Sequence, residues 1–241
     1  MVWVIVILAV IAVVCVVSIE IKVRHKPSLE GIEDASAVKA YDRLSQMPQF
    51  AAMRGIFVNE LKRHNPSGIL ADVGCGPGYL LNVLASRFPH LNLLGVDISR
   101  EILAKARDNL TSFANIDFKL AGSQGLPFAA NSLDFVVSTL SLHHWSEPSA
   151  SFREFHRVLR PEGQFLIFDL RRNPPILFHL LMRVITPLVV PRVLTRIAEP
   201  LGSLLASFTP AEVEDIIKGT PFREFEVKKG FFWLFAWGRK G

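Results

Sequence analysis

Short apolar runs recur along the chain, and most of them end at an acidic or glycine-rich segment. Such runs, bounded by turn residues, predict buried strands, whereas apolar positions that repeat every three or four residues predict helices. The predicted strands cover residues 69–73, 91–96, 116–121, 133–138, 164–169, 222–229 and 231–237. The predicted helices cover residues 37–64, 79–88, 147–159 and 209–218, and another begins after Ser99. This alternation predicts an α/β domain with a largely parallel sheet.

The amino-terminal segment has a different pattern, because residues 2–19 contain no charge. About 18 helical residues at roughly 1.5 Å each reach ~27 Å, close to the thickness of the bilayer's hydrocarbon layer. A basic start and a small-residue cleavage site are both missing, so we expect an uncleaved anchor rather than a signal peptide. The sequence therefore predicts a transmembrane anchor at residues 1–21, a linker at 22–36 and one α/β domain at 37–241.

Basic residues directly follow the apolar segment, at Lys22, Arg24 and Lys26. By the positive-inside rule we expect a single-pass membrane protein with its domain on the cytoplasmic side. The net charge of +5 favours an anionic membrane surface and is a weaker indication of nucleic acid binding. The two cysteines, Cys15 and Cys75, lie in unrelated segments, so neither a disulfide nor a metal cluster is predicted.

A glycine-rich loop follows the first predicted strand of the domain. The strand ends at Asp72, and Gly74, Gly76 and Gly78 come next, with a proline between the last two. We expect this loop to present free backbone N–H groups to a nucleotide-like cofactor at the carboxyl end of the strand. A dinucleotide loop requires Gly-x-Gly-x-x-Gly, and Tyr79 occupies the place of its last glycine. NAD is therefore a poor fit.

The run Asp-Val-Gly-Cys-Gly-Pro-Gly at 72–78 resembles the first motif of class I S-adenosylmethionine-dependent methyltransferases. The resemblance implies a three-layer, Rossmann-like sheet of seven strands in the order 3-2-1-4-5-7-6, with the last strand antiparallel. It implies S-adenosyl-L-methionine as the cofactor and Asp72 as the group that orients the methionine amino group through the loop or a water. The loop residues implied to lie along the methionine part are Gly74, Cys75, Gly76 and Gly78.

The second predicted strand ends at Asp97, and the order Asp-Ile-Ser at 97–99 is similar to the same family. A carboxylate accepts hydrogen bonds only, which suits a pair of ribose hydroxyls. The resemblance assigns Asp97 to the ribose and Ile98 to the cofactor site beside it. Ser99 is the predicted N-cap of the next helix.

Further resemblance covers the loop at 122–128 and the fourth strand. It places Ser123 and Gln124 near the adenine and Ser138 in the cofactor site. The family usually has aspartate where Ser123 stands, so a hydroxyl or a backbone carbonyl must hold the adenine amino group here.

The segment after the fourth strand contains the candidate chemistry, because it faces the methyl group in the family. His143 or His144 is the candidate general base, since imidazole titrates near neutral pH. Two alternatives stay open: one histidine caps the loop while the other shapes a pocket, or alignment of donor and acceptor supplies most of the rate. Tyr41, in a helical flap, and Asp169, at the end of the fifth strand, are candidates on the substrate side.

An apolar insert at residues 174–206 departs from a minimal methyltransferase core. It is expected to cover the acceptor pocket, and the other interpretation is a pair of basic amphipathic helices on the membrane. The aromatic residues of strand 231–237 are expected in the core of a closing hairpin, which a dehydrogenase lacks, rather than in a nucleic-acid platform.

These features together predict a membrane-anchored methyltransferase of a small, lipophilic acceptor resembling a quinone, an isoprenoid or a lipid. A soluble metabolite, a nucleic acid, and a cofactor-binding membrane adaptor without catalysis are the alternatives. The sequence indicates no protein partner.

Overall fold

A seven-stranded mixed sheet forms the centre of the chain in the computed structural model, which describes residues 19–20, 23–27, 35–113, 115–189 and 201–241. The strands are β1 (Ile69–Val73), β2 (Asn92–Asp97), β3 (Ile116–Leu120), β4 (Leu133–Thr139), β5 (Leu159–Leu170), β6 (Glu224–Lys229) and β7 (Trp233–Arg239). Their order is β3-β2-β1-β4-β5-β7-β6. The predicted fold class and strand order are confirmed.

Helices flank this sheet on both faces. The helices are α1 (Ala35–Ser45), α2 (Pro48–Arg63), α3 (Tyr79–Arg87), α4 (Arg100–Asn109), α5 (Pro148–Val158), α6 (Ile176–Val189), α7 (Leu201–Ala206) and α8 (Pro210–Lys218), with a 3₁₀ helix at Leu142–His144. One core includes Phe57, Leu61, Leu81 and Leu84. The other includes Phe152, Phe155, Val213 and Ile217. The result is the predicted three-layer arrangement, with one apolar core on each face of the sheet.

The last strand, β7, lies between β5 and β6 and is antiparallel to both. Leu234 and Ala236 are fully buried on one face and Phe235 is buried on the other, as an inserted strand with two covered faces requires. Phe231 is different, because it precedes the strand and is 51% exposed. The prediction that Phe231 belongs to the core is therefore wrong: the hairpin turn extends to residue 232, and pairing begins only at Trp233.

Two predicted helix starts have the expected caps. The Ser99 hydroxyl accepts from the Ile102 N–H at 3.2 Å, and Thr209 forms a capping box with Glu212. The predicted helix at 37–64 is instead two helices, α1 and α2. The break falls before Pro48, because proline lacks an N–H and disfavours helical geometry in the residue before it.

Two buried arginines after β5 attach the amino-terminal segment to the domain. Arg171 donates to the Glu20 carboxylate at 2.8 Å and to the Phe231 carbonyl at 3.1 and 3.0 Å. Arg172 donates to the Val23 carbonyl at 2.9 Å and pairs with Glu212. Guanidinium groups this well buried require such partners, because an unpaired buried charge costs several kcal/mol.

Residues 23–27, within the linker expected at 22–36, contact the domain. The Lys26 N–H donates to the Leu205 carbonyl at 3.1 Å, and His25 Nε2 lies 2.8 Å from the Ala206 carbonyl oxygen. This stretch is part of the domain surface, beside α7.

The predicted anchor falls mainly on residues 1–18 and 21, which lie outside the described residues. Ile19 and Glu20 are described and are not helical. Among the helices that the structure describes, none combines the length and apolar character needed to cross a bilayer.

Candidate active site

The glycine loop after β1 adopts a backbone that side chains other than glycine rarely permit. Gly74, Gly76 and Gly78 have φ values of 74°, 54° and 84°, all in the left-handed region that favours glycine. A Cβ on Gly74 would lie 2.2 Å from the Ser141 hydroxyl oxygen. The three glycines are therefore required by the structure, because the chain turns sharply here and passes close to the residues that follow β4.

The backbone N–H groups of this loop are already used within the protein. Those of Gly74 and Cys75 donate to the Val96 carbonyl at 2.8 and 3.0 Å, and that of Gly78 donates to the Cys75 carbonyl at 3.1 Å. The N–H of Gly76 donates to Asp97 at 3.0 Å. The expectation of free N–H donors is wrong for these four residues, because the loop folds over the end of β2. Such a loop offers little to a phosphate.

Asp97 lies at the end of β2, where its carboxylate joins two loops. Oδ2 accepts from the Gly76 N–H, and Oδ1 accepts from the Ser99 N–H at 3.0 Å. Burial raises the pKa of Asp97, against the hydrogen bonds from Ser99, Gly76 and Ile98. The carboxylate retains acceptor capacity for a ligand, since each oxygen has more than one lone pair. Beside it, the Ile98 side chain is 50% exposed.

Asp72 at the end of β1 is the most unusual carboxyl group of the site. Its residue is 1% exposed, and neither oxygen has a hydrogen-bond partner in the described part of the chain. Burial, followed by repulsion from Asp97, raises the pKa of Asp72 to about 8. Buried acceptors without partners are rare and costly in folded proteins. A cationic or hydrogen-donating ligand group would satisfy them.

An open cleft of about 530 Å³ adjoins the glycine loop, including space open to solvent. This volume is within the usual range for small-molecule sites. Tyr41 from α1, Arg54 from α2 and Thr139 from the end of β4 line it, together with the loop. Arg54 is the one charged side chain among the described lining residues, and burial lowers the pKa of its guanidinium.

Asp42 links helix α1, the predicted flap, to the glycine loop. The Asp42 carboxylate accepts from the Tyr79 hydroxyl at 2.9 Å and from the Asn109 amide at 3.1 Å. Asn109 also donates to the Pro77 carbonyl at 3.0 Å. Burial, with the Asp42 carboxylate next, raises the pKa of Tyr79 to about 12. The neighbouring Tyr41 is thereby held at the cleft.

His143 and Asp169 form a buried pair at the carboxyl ends of β4 and β5. Nδ1 of His143 lies 2.7 Å from Asp169 Oδ1, and the His143 backbone N–H donates to Oδ2 at 2.9 Å. The side chains are 3% and 1% exposed. A carboxylate at Nδ1 favours the tautomer with its proton there, which leaves the lone pair on Nε2. The His144 ring centroid lies 4.1 Å from that of His143.

The remaining residues predicted to bind the cofactor differ in their solvent exposure. The Ser123 hydroxyl lies 2.7 Å from that of Ser151, and Gln124 is exposed and donates to the Ser146 hydroxyl. Ser138 is fully buried, and its hydroxyl donates to the Val73 carbonyl at 2.6 Å, so its side chain faces the sheet. Contact of these residues with a cofactor stays a prediction.

Cys75, also predicted to bind the cofactor, is a free thiol. It is 7% exposed, and burial raises its pKa well above the usual value. Cys75 is one of the residues that line the cleft.

The site therefore presents two adjacent carboxyl groups, the buried Asp72 and the partly buried Asp97, and the N–H donors of Gly74, Cys75, Gly76 and Gly78 are used within the protein. Asp97 and an ionised Asp72 would repel a pyrophosphate, whereas a cationic group of a cofactor would favour the ionised form of Asp72. Residues 71–167 match the model of the family described as a methyltransferase domain, Methyltransf_11. This part of the chain is therefore similar to a methyltransferase domain.

Other proteins resemble this chain in sequence and in fold. A malonyl-[acyl-carrier protein] O-methyltransferase of Laribacter hongkongensis is 31% identical over 142 residues, 56% of this chain and 48% of that protein. The ubiquinone/menaquinone biosynthesis C-methyltransferase UbiE of Rickettsia bellii is 29% identical over 160 residues, 62% of this chain and 64% of that protein. The match spans about half the length of the first of these relatives.

A solved structure shows that the fold is shared. A putative S-adenosylmethionine-dependent methyltransferase from Methanococcus maripaludis superimposes with a TM-score of 0.67 at 19% identity, over 89% of this chain and 97% of that one.

Sequence reasoning missed two groups near the cleft. Arg54 is in α2, eighteen positions before Asp72, and nothing in its local pattern distinguishes it from a solvated helical arginine. Asp42 directly follows Tyr41 in the sequence, and its contact with Tyr79 joins residues 37 positions apart. His143 and Asp169 were both candidates, but their pairing depends on the register of β4 and β5.

Proposed function

We propose that the chain is a membrane-anchored methyltransferase that transfers a methyl group from S-adenosylmethionine to a small lipophilic acceptor. The main support for this proposal is the pair of carboxyl groups beside the glycine loop, the buried Asp72 and the partly buried Asp97.

The described residues fit the cofactor group by group. Asp97, with acceptor capacity left at the end of β2, would hold the ribose hydroxyls. Asp72 would receive the ammonium group, directly or through a water, since its oxygens lack partners among the described residues. Arg54 would pair with the cofactor carboxylate across the cleft that it lines, because guanidinium groups match carboxylates in geometry.

When bound, S-adenosylmethionine supplies an electrophilic methyl group on a sulfonium, whose departure leaves a neutral thioether. The protein then has two tasks: to align the acceptor and to remove a proton where the acceptor carries one. His143 is the proposed base, because Asp169 fixes its ring and favours a lone pair on Nε2. His144 would pack beside it, since the two ring centroids lie 4.1 Å apart.

The acceptor class rests on the surroundings of the site. The charge-free segment 2–19 and the basic residues after it favour a bilayer next to the domain. The apolar insert adjoins the histidine end, because α7 packs against the 3₁₀ helix that carries His143. Among similar proteins, one is named for ubiquinone and menaquinone biosynthesis and another for malonyl-[acyl-carrier protein]. An acceptor of the quinone, isoprenoid or lipid type agrees with these features.

Replacing Asp97 with asparagine should weaken S-adenosylmethionine binding by roughly 10- to 100-fold, since a hydrogen bond to a charged group contributes about 1.5–3 kcal/mol. Asparagine keeps an acceptor for the loop N–H groups but loses the charge. The measurement is calorimetric titration of the full chain in detergent with S-adenosylmethionine, S-adenosylhomocysteine and NADH. The matched control is Asp117→Asn, an exposed carboxylate on β3, which should bind like the parent.

Binding of NADH in place of the sulfur cofactors would overturn the assignment of the site. Binding of S-adenosylmethionine without methyl transfer to any component of a membrane lipid extract would instead favour the non-catalytic adaptor. Transfer of labelled methyl to a lipid-soluble product is the expected result, and a water-soluble product would point to the soluble-metabolite alternative.

Deleting residues 2–18 should convert the chain from an integral to an extractable protein. The deletion ends before Ile19 because Ile19 and Glu20 contact the domain. Each central Leu, Ile or Val favours insertion by about 0.3–0.6 kcal/mol, so the full chain should stay in the membrane pellet after carbonate washing and the deletion variant should not. Carbonate extraction of the full chain would contradict the proposed anchor.

A further inference from the structure

Helix α6 exposes a continuous apolar side. Leu177, Leu180, Leu181 and Val184 are 48%, 53%, 48% and 63% exposed. Their spacing of three and four residues places them on one side of the helix. The opposite side is packed: Phe178 stacks on Phe232 with ring centroids 4.6 Å apart. This helix therefore has one side held by the domain and an apolar side without a covering element in the described part of the chain.

Two further exposed apolar residues extend this surface. Ile19 is 54% exposed, and its carbonyl accepts from the Ile176 N–H at 2.8 Å, at the start of α6. Phe231 is 51% exposed. The buried Arg171 donates both to the Phe231 carbonyl and to the Glu20 carboxylate. We call these six residues the apolar face: Ile19, Leu177, Leu180, Leu181, Val184 and Phe231.

The apolar face accounts for most of the exposed large hydrophobic side chains that the structure describes. The two others, Ile98 and Leu120, lie at the cofactor end of the sheet. Scattered exposed hydrophobic residues are ordinary, but a contiguous patch of large ones marks an interaction surface. The apolar face is therefore expected to be covered in the functional protein.

The occupant is indicated by the chain that leads into the face and by the charges around it. Residues 2–18, which directly precede Ile19, contain no charge. Arg183 on the same helix is exposed, as are Arg24 and Lys26 in the stretch that follows Ile19, and cationic side chains near an apolar surface match anionic lipid headgroups. An interfacial helix with such a composition lies with its apolar side at the boundary of headgroups and acyl chains.

We infer that the apolar face inserts into the surface of an anionic lipid bilayer, so that α6 lies in the interface as a second membrane contact of the domain. This contact differs from the proposed anchor, since it fixes the orientation of the domain rather than its attachment. Helix α7 packs against α6 and against the 3₁₀ helix with His143. If the proposed function is right, the insert brings the histidine end of the site to the bilayer.

A single environment-sensitive probe can test this inference in the full chain. The background is Cys15→Ser, and Cys75 is buried, so the background protein without an added cysteine controls for stray labelling. Val184→Cys places an NBD fluorophore on the apolar face. Leu120→Cys places it on a comparably exposed residue, 48% against 63%, at the opposite edge of the sheet. Both proteins are reconstituted in vesicles of phosphatidylcholine and phosphatidylglycerol, with and without nitroxide-labelled lipid.

We expect the Val184 probe to shift to shorter wavelength in vesicles and to be quenched several-fold more strongly by nitroxide lipid than the Leu120 probe. A short-wavelength Val184 probe that nitroxide lipid fails to quench would mean that protein, a second copy or residues 2–18, covers the face, and the inference would fail. An unshifted probe, open to water, would also overturn it. Neither result would affect calorimetric cofactor binding, so this test is independent of the methyltransferase assignment.

Discussion

Replacing Asp72 with asparagine should stabilise the folded protein near pH 8 while weakening its binding of S-adenosylmethionine. The carboxyl group is buried without hydrogen-bond partners among the described residues, and its pKa is raised from 3.8 to about 8. A raised pKa means that the folded state holds a proton which the unfolded state releases above about pH 4. Stability is therefore lost progressively as the pH rises from about 4 to 8.

The size of this loss follows from the shift. At 1.36 kcal/mol per pKa unit, the free energy of unfolding should fall by at most about 5 kcal/mol across this range because of Asp72 alone. The asparagine variant should lack this slope, since its amide does not titrate. Thermal unfolding of the cofactor-free protein between pH 5 and 8 measures the difference. Asp117→Asn, at an exposed position, should keep the slope of the parent.

The affinity for the cofactor should rise with pH, whereas the stability of the cofactor-free protein should fall. An ammonium group beside Asp72 would favour the ionised carboxylate and lower its pKa, so binding should release a proton from Asp72 and become tighter as the pH rises toward 8. The variant loses a charge-assisted contact and should bind about 10- to 100-fold more weakly. Because the cofactor amine titrates as well, the informative quantity is the difference in proton release between parent and variant. A variant that binds as tightly as the parent would show that Asp72 has only a structural role.

The features predicted correctly from the sequence depend on local signals. The positive φ values of Gly74, Gly76 and Gly78 follow from the spacing of glycines after an apolar strand. The central position of β7 follows from apolar residues on both of its faces, and the capping box at Thr209 follows from a four-residue pattern. In each case the residues that determine the structure are neighbours in the sequence.

The features that were missed depend on contacts between distant segments. The use of the Gly76 N–H by Asp97 requires the loop to fold over β2, a contact across 21 positions. The docking of Glu20 onto Arg171 spans 151 positions, so periodicity could not reveal it, and Glu20 was placed at the end of the predicted anchor. The pairing of His143 with Asp169 likewise needs the register of two strands. Candidate residues were thus recognisable by type, but their partners were not.

Replacing Asp169 with asparagine should lower methyl transfer by about 10²- to 10⁴-fold, which is the usual contribution of an oriented general base. The carboxylate accepts from His143 Nδ1, from the His143 N–H and from the Leu170 N–H. Asparagine retains an acceptor for the backbone but no longer favours the tautomer with its lone pair on Nε2. Transfer of labelled methyl to a membrane lipid extract measures the effect, and calorimetry should show unchanged S-adenosylmethionine binding.

Two further variants separate a positioning role from a structural one. His143→Gln should lose a similar amount of activity, and the double variant should be no worse than either single change, because the two residues act as a unit. His156→Gln, a partly buried histidine of α5 that contacts Phe222 instead of a carboxylate, should keep full activity. If Asp169 only stabilises the fold, its variant should lose stability by about 1–3 kcal/mol but retain its turnover per folded molecule and the pH profile of the parent. That outcome would show that alignment of the methyl donor and the acceptor, and not a general base at His143, accounts for the rate of methyl transfer.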